Sequence, residues 1–316
     1  MARDAAVELE WTKPATMAAV RLHGSGGVDE LALDSVPVPP LGAEDALVRV
    51  HAAAITRDEL EWPVDRLPAI PSYEVSGVVV EVADGVGGIT VGDEVYALTP
   101  FDRDGAAAEY VAVSAGLLSP KPRSATHVES AAVPLAALSA WQGLFDHGGL
   151  VAGERVLIHG AAGGVGQFAT QLARERGAYI IGTASGTAVS RARELGADEV
   201  IDVGRARFDE VVEPVDLVFD TVGGTALARS HWVVREGGRL VSVAEEPPAA
   251  EAGIAATYFV VESNREQLAE ITRLVDAGRL VPAVDSVFRL ADARLAFDRV
   301  QESGKHGKVV LQVFDE

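Results

Sequence analysis

The residues of this 316-residue chain best suited to chemistry are Gly160-Ala161-Ala162-Gly163-Gly164-Val165-Gly166. An apolar run, Arg155–His159, precedes them. After them Val165, Phe168, Ala169, Leu172 and Ala173 recur at helical spacing. A helix entered through glycines offers an anion unpaired backbone N–H groups and the positive end of its dipole. Glycines also let the backbone approach phosphate closely and let the helix pack tightly on the strand before it. The chemistry this pattern serves is capture of a dinucleotide's pyrophosphate. A tight turn with no ligand would use the same residue types. The strand before, the helix after and the repeating units that follow favour the dinucleotide.

Which dinucleotide is a separate question. NAD-binding loops of this kind place Asp or Glu about 20 residues further on, where it holds the ribose hydroxyls. Here the second strand ends Gly182-Thr183-Ala184-Ser185-Gly186-Thr187. No carboxylate falls between Glu175 and Glu194, whereas Arg191 and Arg193 do. Small hydroxyls and a guanidinium accept a 2′-phosphate that a carboxylate would repel. The stretch therefore predicts NADPH over NADH, the alternative for the two arginines being a solvated helix face.

These residues need a scaffold, and the pattern supplies one. Strands are predicted at Arg155–His159, Ala178–Thr183, Glu199–Asp202, Val215–Asp220 and Arg239–Val243, with helices between them. Such alternation implies an α/β fold, a Rossmann-type doubly wound parallel sheet covered on both faces. From Met17 to about Tyr110 the chain instead shows short apolar runs broken by Gly, Pro and Asp, as in a compact β-rich barrel or sandwich. Capping-box spacings at Thr126–Glu129 and Ser263–Glu266 open two helices. The tail reads strand (Ala283–Phe288), helix (Asp292–Glu302) and strand (Lys308–Val313), too short for a domain of its own. The division is residues 1–134 as a substrate domain with 1–16 a flexible extension, 135–262 as the cofactor domain, and 263–316 returning to the first.

Composition excludes several classes. Formal net charge is −20, spread along the chain, which disfavours nucleic acid and anionic membranes as partners. The chain has no cysteine, so it can have neither a disulfide framework nor a thiolate zinc site. The opening residues carry charge and no apolar core, and no apolar run nears the ~18 residues of a membrane span, so a cytoplasmic protein is expected.

Gly153-Glu154-Arg155-Val156-Leu157-Ile158-His159-Gly160-Ala161-Ala162-Gly163-Gly164-Val165-Gly166, with Gln171 and Arg174 beyond it, resembles the motif of quinone oxidoreductases, the zinc-free branch of the medium-chain dehydrogenase/reductase superfamily. Further matches are Pro71–Gly77, Val91–Val95, Ala108–Tyr110, Leu138–Trp141, Asp220–Gly224 and Gly307–Leu311. The resemblance implies a GroES-like substrate domain, a nicotinamide cleft between the domains, and a homodimer. It implies Thr56 and Glu59 beside the nicotinamide ribose, and Ser139 near the nicotinamide. Gly163, Gly164 and Val165 would meet the pyrophosphate, and Ser185 the 2′-phosphate. Val243, Ala244 and Phe259 would line the nicotinamide side, and Lys308 would approach the cofactor.

Zinc-dependent relatives place Cys in the loop that here reads Ile55-Thr56-Arg57-Asp58, and His where this chain has Tyr73, so no metal is expected. The chain also has Thr56 where many quinone reductases have Asn, and Val203 where they have Tyr. The implied activity is NADPH-dependent reduction of a quinone or an α,β-unsaturated carbonyl, a small planar apolar substrate. Alternatives are an enoyl-thioester reductase and a non-catalytic NADPH-binding redox sensor. Tyr73 is the side-chain candidate for donating to a developing enolate oxygen, the other reading being a pocket wall with water as the acid. Trp62, Trp141 and Phe259 are candidate apolar pocket residues. His51 reads as structural, and His159 as a shaper of the glycine turn.

Overall fold

The computed structural model describes residues 11–63, 65–248, 253–302 and 304–315. Of the expected extension, residues 1–10 lie outside that set. Trp11 packs on Tyr110 with ring centroids 6.0 Å apart, and Lys13 pairs with Glu81 at 2.9 Å.

The first domain opens with a hairpin of β1 (Thr16–Leu22) and β2 (Leu31–Pro37). It continues with β3 (Asp45–Ile55), β4 (Glu74–Val82), β5 (Glu94–Leu98), β6 (Tyr110–Ser114) and β7 (Ser119–Pro120). β3 is the hub, antiparallel to both β4 and β6. Its run Ala52-Ala53-Ala54 is fully buried, which suits a strand covered on both faces. Gly77 lets β4 cross β3 closely, since a Cβ there would lie 2.1 Å from the Arg49 carbonyl oxygen.

Two helices carry the chain into the second domain. α1 (His127–Ala131) opens on the expected capping box, with Thr126 and Glu129 exchanging side-chain and backbone bonds. α2 (Pro134–Trp141) starts with proline in its first turn and runs into a π-helical turn, Gln142–His147. Strands and helices then alternate: β8 (Arg155–Ile158), α3 (Gly166–Arg176), β9 (Tyr179–Ala184), α4 (Ala188–Glu194), β10 (Glu199–Asp202), α5 (Phe208–Val211), β11 (Val215–Asp220), α6 (Gly224–Ser230), β12 (Val234–Ser242) and β13 (Ala255–Tyr258). The sheet order is β10-β9-β8-β11-β12-β13, with every pairing parallel. Chain direction across the sheet reverses between β8 and β11. A doubly wound sheet opens its ligand crevice there, beyond the carboxyl ends of the strands.

α7 (Arg265–Asp276) buries Leu268, Ile271 and Val275 in the same apolar cluster as α2 and α3. Its cap differs from the sequence expectation. Asn264, not Ser263, accepts the Gln267 amide, while the Ser263 hydroxyl donates to the Leu98 carbonyl at 2.8 Å. A tertiary partner has taken the hydroxyl that local spacing assigned to the helix. β14 (Val284–Arg289), α8 (Ala293–Gln301) and β15 (Lys308–Gln312) then return to the first domain, where β15 pairs antiparallel with β3.

Paired carboxylates brace both domains. Asp45 accepts two bonds from Arg103, at 2.9 and 2.7 Å, and Glu154 two from Arg239, both 2.8 Å. The guanidinium beside each carboxyl holds it below its ordinary value. As pH falls the unfolded chain takes up these protons first, so the stabilisation is complete above the ordinary values of 3.8 and 4.5 and lost below them. Urea midpoints measured between pH 6 and pH 3 are expected to fall at the acid end, and to fall less in Arg103→Met and Arg239→Met than in the parent.

Candidate active site

The glycine run sits where β8 meets α3, and its backbone is dictated by close approach. Gly160 has φ +69, and a Cβ there would lie 2.9 Å from Thr221 and Val222 side-chain atoms. A Cβ on Gly166 would lie 2.0 Å from the Gly160 carbonyl oxygen. The Gly163 amide is spent on that same carbonyl at 2.8 Å. Among the described residues the amides of Gly164 and Val165 donate to no acceptor, and α3 opens without a side-chain cap. Two unspent amides at the positive end of an eleven-residue helix fit a pyrophosphate.

His159 anchors the start of the turn. It is fully buried, bonded to Thr183 Oγ1 at 3.1 Å and to Ser230 Oγ at 3.0 Å, with Phe208 edge-on at 4.6 Å. Burial pushes its imidazole down to about 4, so the ring is neutral at pH 7.

A cavity of about 400 Å³ opens beside this turn at the reversal point of the sheet. Ser185 lines it, as do Arg207 and Arg229. Arg191 does not line it, and pairs instead with Glu194 one turn along its own helix at 3.3 Å. The sequence reading missed Arg207 and Arg229. Arg207 was findable as a basic residue just past the third strand, though it is shared with Asp209 and Glu210. Arg229 arrives from α6, and only tertiary packing brings it there.

On the other side of the glycine turn stands Lys308, the first residue of β15. Its Cδ lies 3.8 Å from where a Gly164 side chain would begin. Its Nζ donates to Thr56 Oγ1 at 2.9 Å and pairs with Glu74 Oε1. Glu74, absent from the sequence-derived candidates, takes the Leu135 amide on its other oxygen at 2.9 Å and so tethers the start of α2. Its place directly after Tyr73 in the family-matching run Pro71–Gly77 was the available signal.

Glu59 completes the cluster, accepting from the amides of Thr56 at 2.9 Å and Ser72 at 3.1 Å. Burial pushes its carboxyl up to about 8, against the pull of those amides and of Lys308. Ser72 holds the left-handed φ of 71, and its hydroxyl donates to the Ala54 carbonyl at 2.8 Å. The fold thus brings Thr56, Glu59 and Lys308 to one place, next to Gly164.

The remaining candidates lie on apolar ground. Ser139 is buried on α2. Val243 and Ala244 follow β12, where the Val243 amide donates to the Asp220 carbonyl at 3.1 Å and the Ala244 amide to Ser242 Oγ at 3.1 Å. Burial raises the Asp220 carboxyl, which Ser242 and the amides of Val222 and Gly223 hold in place. Phe259 is buried under the His147 ring at 4.3 Å. Trp141 packs edge to face on Phe145, centroids 5.1 Å apart. Tyr73 is fully buried, in a cluster with Phe101 at 5.3 Å and Trp62 at 5.7 Å. Burial pushes its phenol up to about 12. Elsewhere in the first domain His51 stacks on His127 at 4.4 Å. No group of three or more potential metal ligands is assembled among the described residues, and none of their helices is long and apolar enough to cross a membrane.

A doubly wound sheet with a glycine turn opening its first helix, joined to a β-rich domain whose tail lysine reaches that turn, defines a nicotinamide-dependent oxidoreductase. Residues 42–123 match the alcohol dehydrogenase GroES-like domain, and residues 195–311 the family described as zinc-binding dehydrogenase. The chain is 33% identical to the 2-methylene-furan-3-one reductase of Solanum lycopersicum, over 94% of this chain and 79% of that protein. It is also 33% identical to the chloroplastic NADPH-dependent alkenal/one oxidoreductase of Arabidopsis thaliana, over 90% and 77%. A solved quinone oxidoreductase from Coxiella burnetii superposes with a TM-score of 0.87 at 29% identity, over 95% of this chain and all of that one. The chain belongs to the medium-chain dehydrogenase/reductase superfamily, in its quinone oxidoreductase-like branch.

Proposed function

We propose that this protein reduces quinones or α,β-unsaturated carbonyls with NADPH. The observation that carries the reading is Lys308 bridging Thr56 and Glu74 beside the free amides of the glycine turn, within a fold whose relatives include an NADPH-dependent alkenal/one oxidoreductase. Gly163, Gly164 and Val165 would hold the pyrophosphate, with Gly163 contributing shape, its amide being spent. Thr56, Glu59 and Lys308 would take the nicotinamide ribose, and Ser139, Val243, Ala244 and Phe259 the ring. Bound NADPH would supply the hydride for the β-carbon of an enone or for a quinone. The chain's own part is to hold that ring against the acceptor, exclude water, and meet the charge that develops on oxygen.

Tyr73 is the proposed donor to that oxygen. Its phenol, like that of any tyrosine, is protonated at neutral pH, and a dehydrated donor acts more strongly than one in water. Water would then deliver the proton to the α-carbon. The acceptor reaches Tyr73 on the Trp62 side, since Trp62 is the most exposed of the three clustered rings at 36%. We place the protein in the cytoplasm as a homodimer paired through β13, an edge strand of the cofactor sheet.

The test is NADPH oxidation against quinones, enones and simple alcohols, with NADH in parallel. Turnover of a quinone or enone with NADPH preferred is the expected result, and reduction of no acceptor would sink the proposal. Ser185 carries the cofactor preference, with Arg207 and Arg229 behind it. Ser185→Asp is expected to raise KM for NADPH about tenfold to a hundredfold, the equivalent of the ~1.5–3 kcal/mol of one bond to a charged group. KM for NADH should change little or fall.

A further inference from the structure

We infer that Arg66 is a positioning residue for the Tyr73 hydroxyl, fixing it so that its one proton is presented to the oxygen of the acceptor. The inference rests on Tyr73 being the donor, as proposed above. Arg66 Nη2 donates to Tyr73 Oη at 3.1 Å and to the Phe101 carbonyl at 2.8 Å. A guanidinium has no acceptor, so the phenol oxygen must accept there and its own hydrogen must point elsewhere. Among the described residues no acceptor takes that hydrogen. A fully buried hydroxyl with an unspent donor is unfavourable unless something arrives to receive it.

The surroundings hold both partners still. The Tyr73 ring packs against both Phe101 and Trp62, which meet each other edge-on at 5.1 Å. The Phe101 carbonyl pins the guanidinium, and Asp104 lies 4.0 Å from its Nη1. Asp104 is itself held by the Ile70 amide at 3.0 Å. A cation against the phenol oxygen also favours the negative charge that grows there as the hydrogen bond is given. Arg66 thus sets direction and strength without touching the substrate. A purely structural role, tying residues 65–68 to the Phe101 carbonyl, would need neither the phenol nor its charge.

The experiment is steady-state reduction of an enone by NADPH with the parent, Tyr73→Phe, Arg66→Met, Arg66→Lys and the double variant Arg66→Met/Tyr73→Phe. Tyr73→Phe is expected to lower kcat about a hundredfold, the scale for losing one donor to a developing oxyanion, and Arg66→Met about tenfold, both at nearly unchanged KM. The double variant should be no slower than Tyr73→Phe alone, because Arg66 acts through the phenol. Arg66→Lys, which keeps a donor to the Phe101 carbonyl, should recover part of the loss. Multiplying effects in the double variant, or normal kcat in Arg66→Met beside a slow Tyr73→Phe, would overturn the role of Arg66 and leave the reductase reading standing. A normal Tyr73→Phe would remove the donor and Arg66 with it. A parent that reduces no acceptor would overturn both.

Discussion

Lys308→Met is expected to lower the unfolding free energy by about 3–5 kcal/mol, the scale for leaving one member of a buried ion pair uncompensated. Both partners are nearly inaccessible to water, so the loss cannot be made good by hydration. Glu74 would remain buried with only the Leu135 amide to meet its charge, and Thr56 would lose its donor. Glu59 would lose a cation that pulls its carboxyl down. The check is a pair of denaturant titrations without cofactor. Lys308→Met alone should be strongly destabilised, and Lys308→Met/Glu74→Gln should recover most of the loss, because the amide oxygen still accepts from Leu135 without a stranded charge. A double variant as unstable as the single one would show that the ammonium matters for something other than Glu74. Activity is expected to fall in both, since Lys308 also borders the glycine turn.

The second large effect is at Gly166. Its φ is ordinary, so an alanine there is not strained by its own backbone. The difficulty is space: the new Cβ would sit 2.0 Å from the Gly160 oxygen and 3.0 Å from the Ala161 carbonyl carbon, both backbone atoms. The turn has to open, and the amides of Gly164 and Val165 move with it. Losing even one bond to phosphate, ~1.5–3 kcal/mol, would weaken NADPH binding about tenfold to a hundredfold. Gly164→Ala supplies the comparison, because its Cβ meets nothing nearer than Lys308 Cδ at 3.8 Å. Thermal melting without cofactor should separate the two variants, with Gly164→Ala close to the parent and Gly166→Ala below it. Titration calorimetry with NADPH would then report the cofactor loss in Gly166→Ala. Equal affinity in Gly166→Ala and the parent would show that the turn can open without disturbing the amides proposed to meet phosphate.

Much of the architecture was legible because its causes are local. The alternation of β8 through β12 with their helices follows from apolar periodicity, and each predicted strand is present, β10 and β11 with the expected ends and β8, β9 and β12 with ends shifted by one to five residues. The turn at Gly160–Gly166 was legible because glycines were needed there to avoid backbone atoms within the same short segment. The Thr126 capping box was legible for the same reason, both partners lying within one turn.

The class of fold, the glycine turn and the lack of thiolates are therefore readable along the chain, because they depend on neighbouring residues or on composition. Which charged groups meet depends on how distant segments pack. Lys308 reaches Glu74 and Thr56 because β15 returns to pair with β3. Arg229 reaches the cavity beside Ser185 because α6 packs behind it, whereas Arg191, nearer in sequence, turns to Glu194. Asn264 caps α7 because a distant carbonyl claims the Ser263 hydroxyl. Tyr73 is roofed by Trp62 and Phe101 and held by Arg66, a contact no spacing rule foresees. Local periodicity specifies which face of an element is buried. The partner of a buried charge is set by desolvation, which acts across whatever segments the fold brings together.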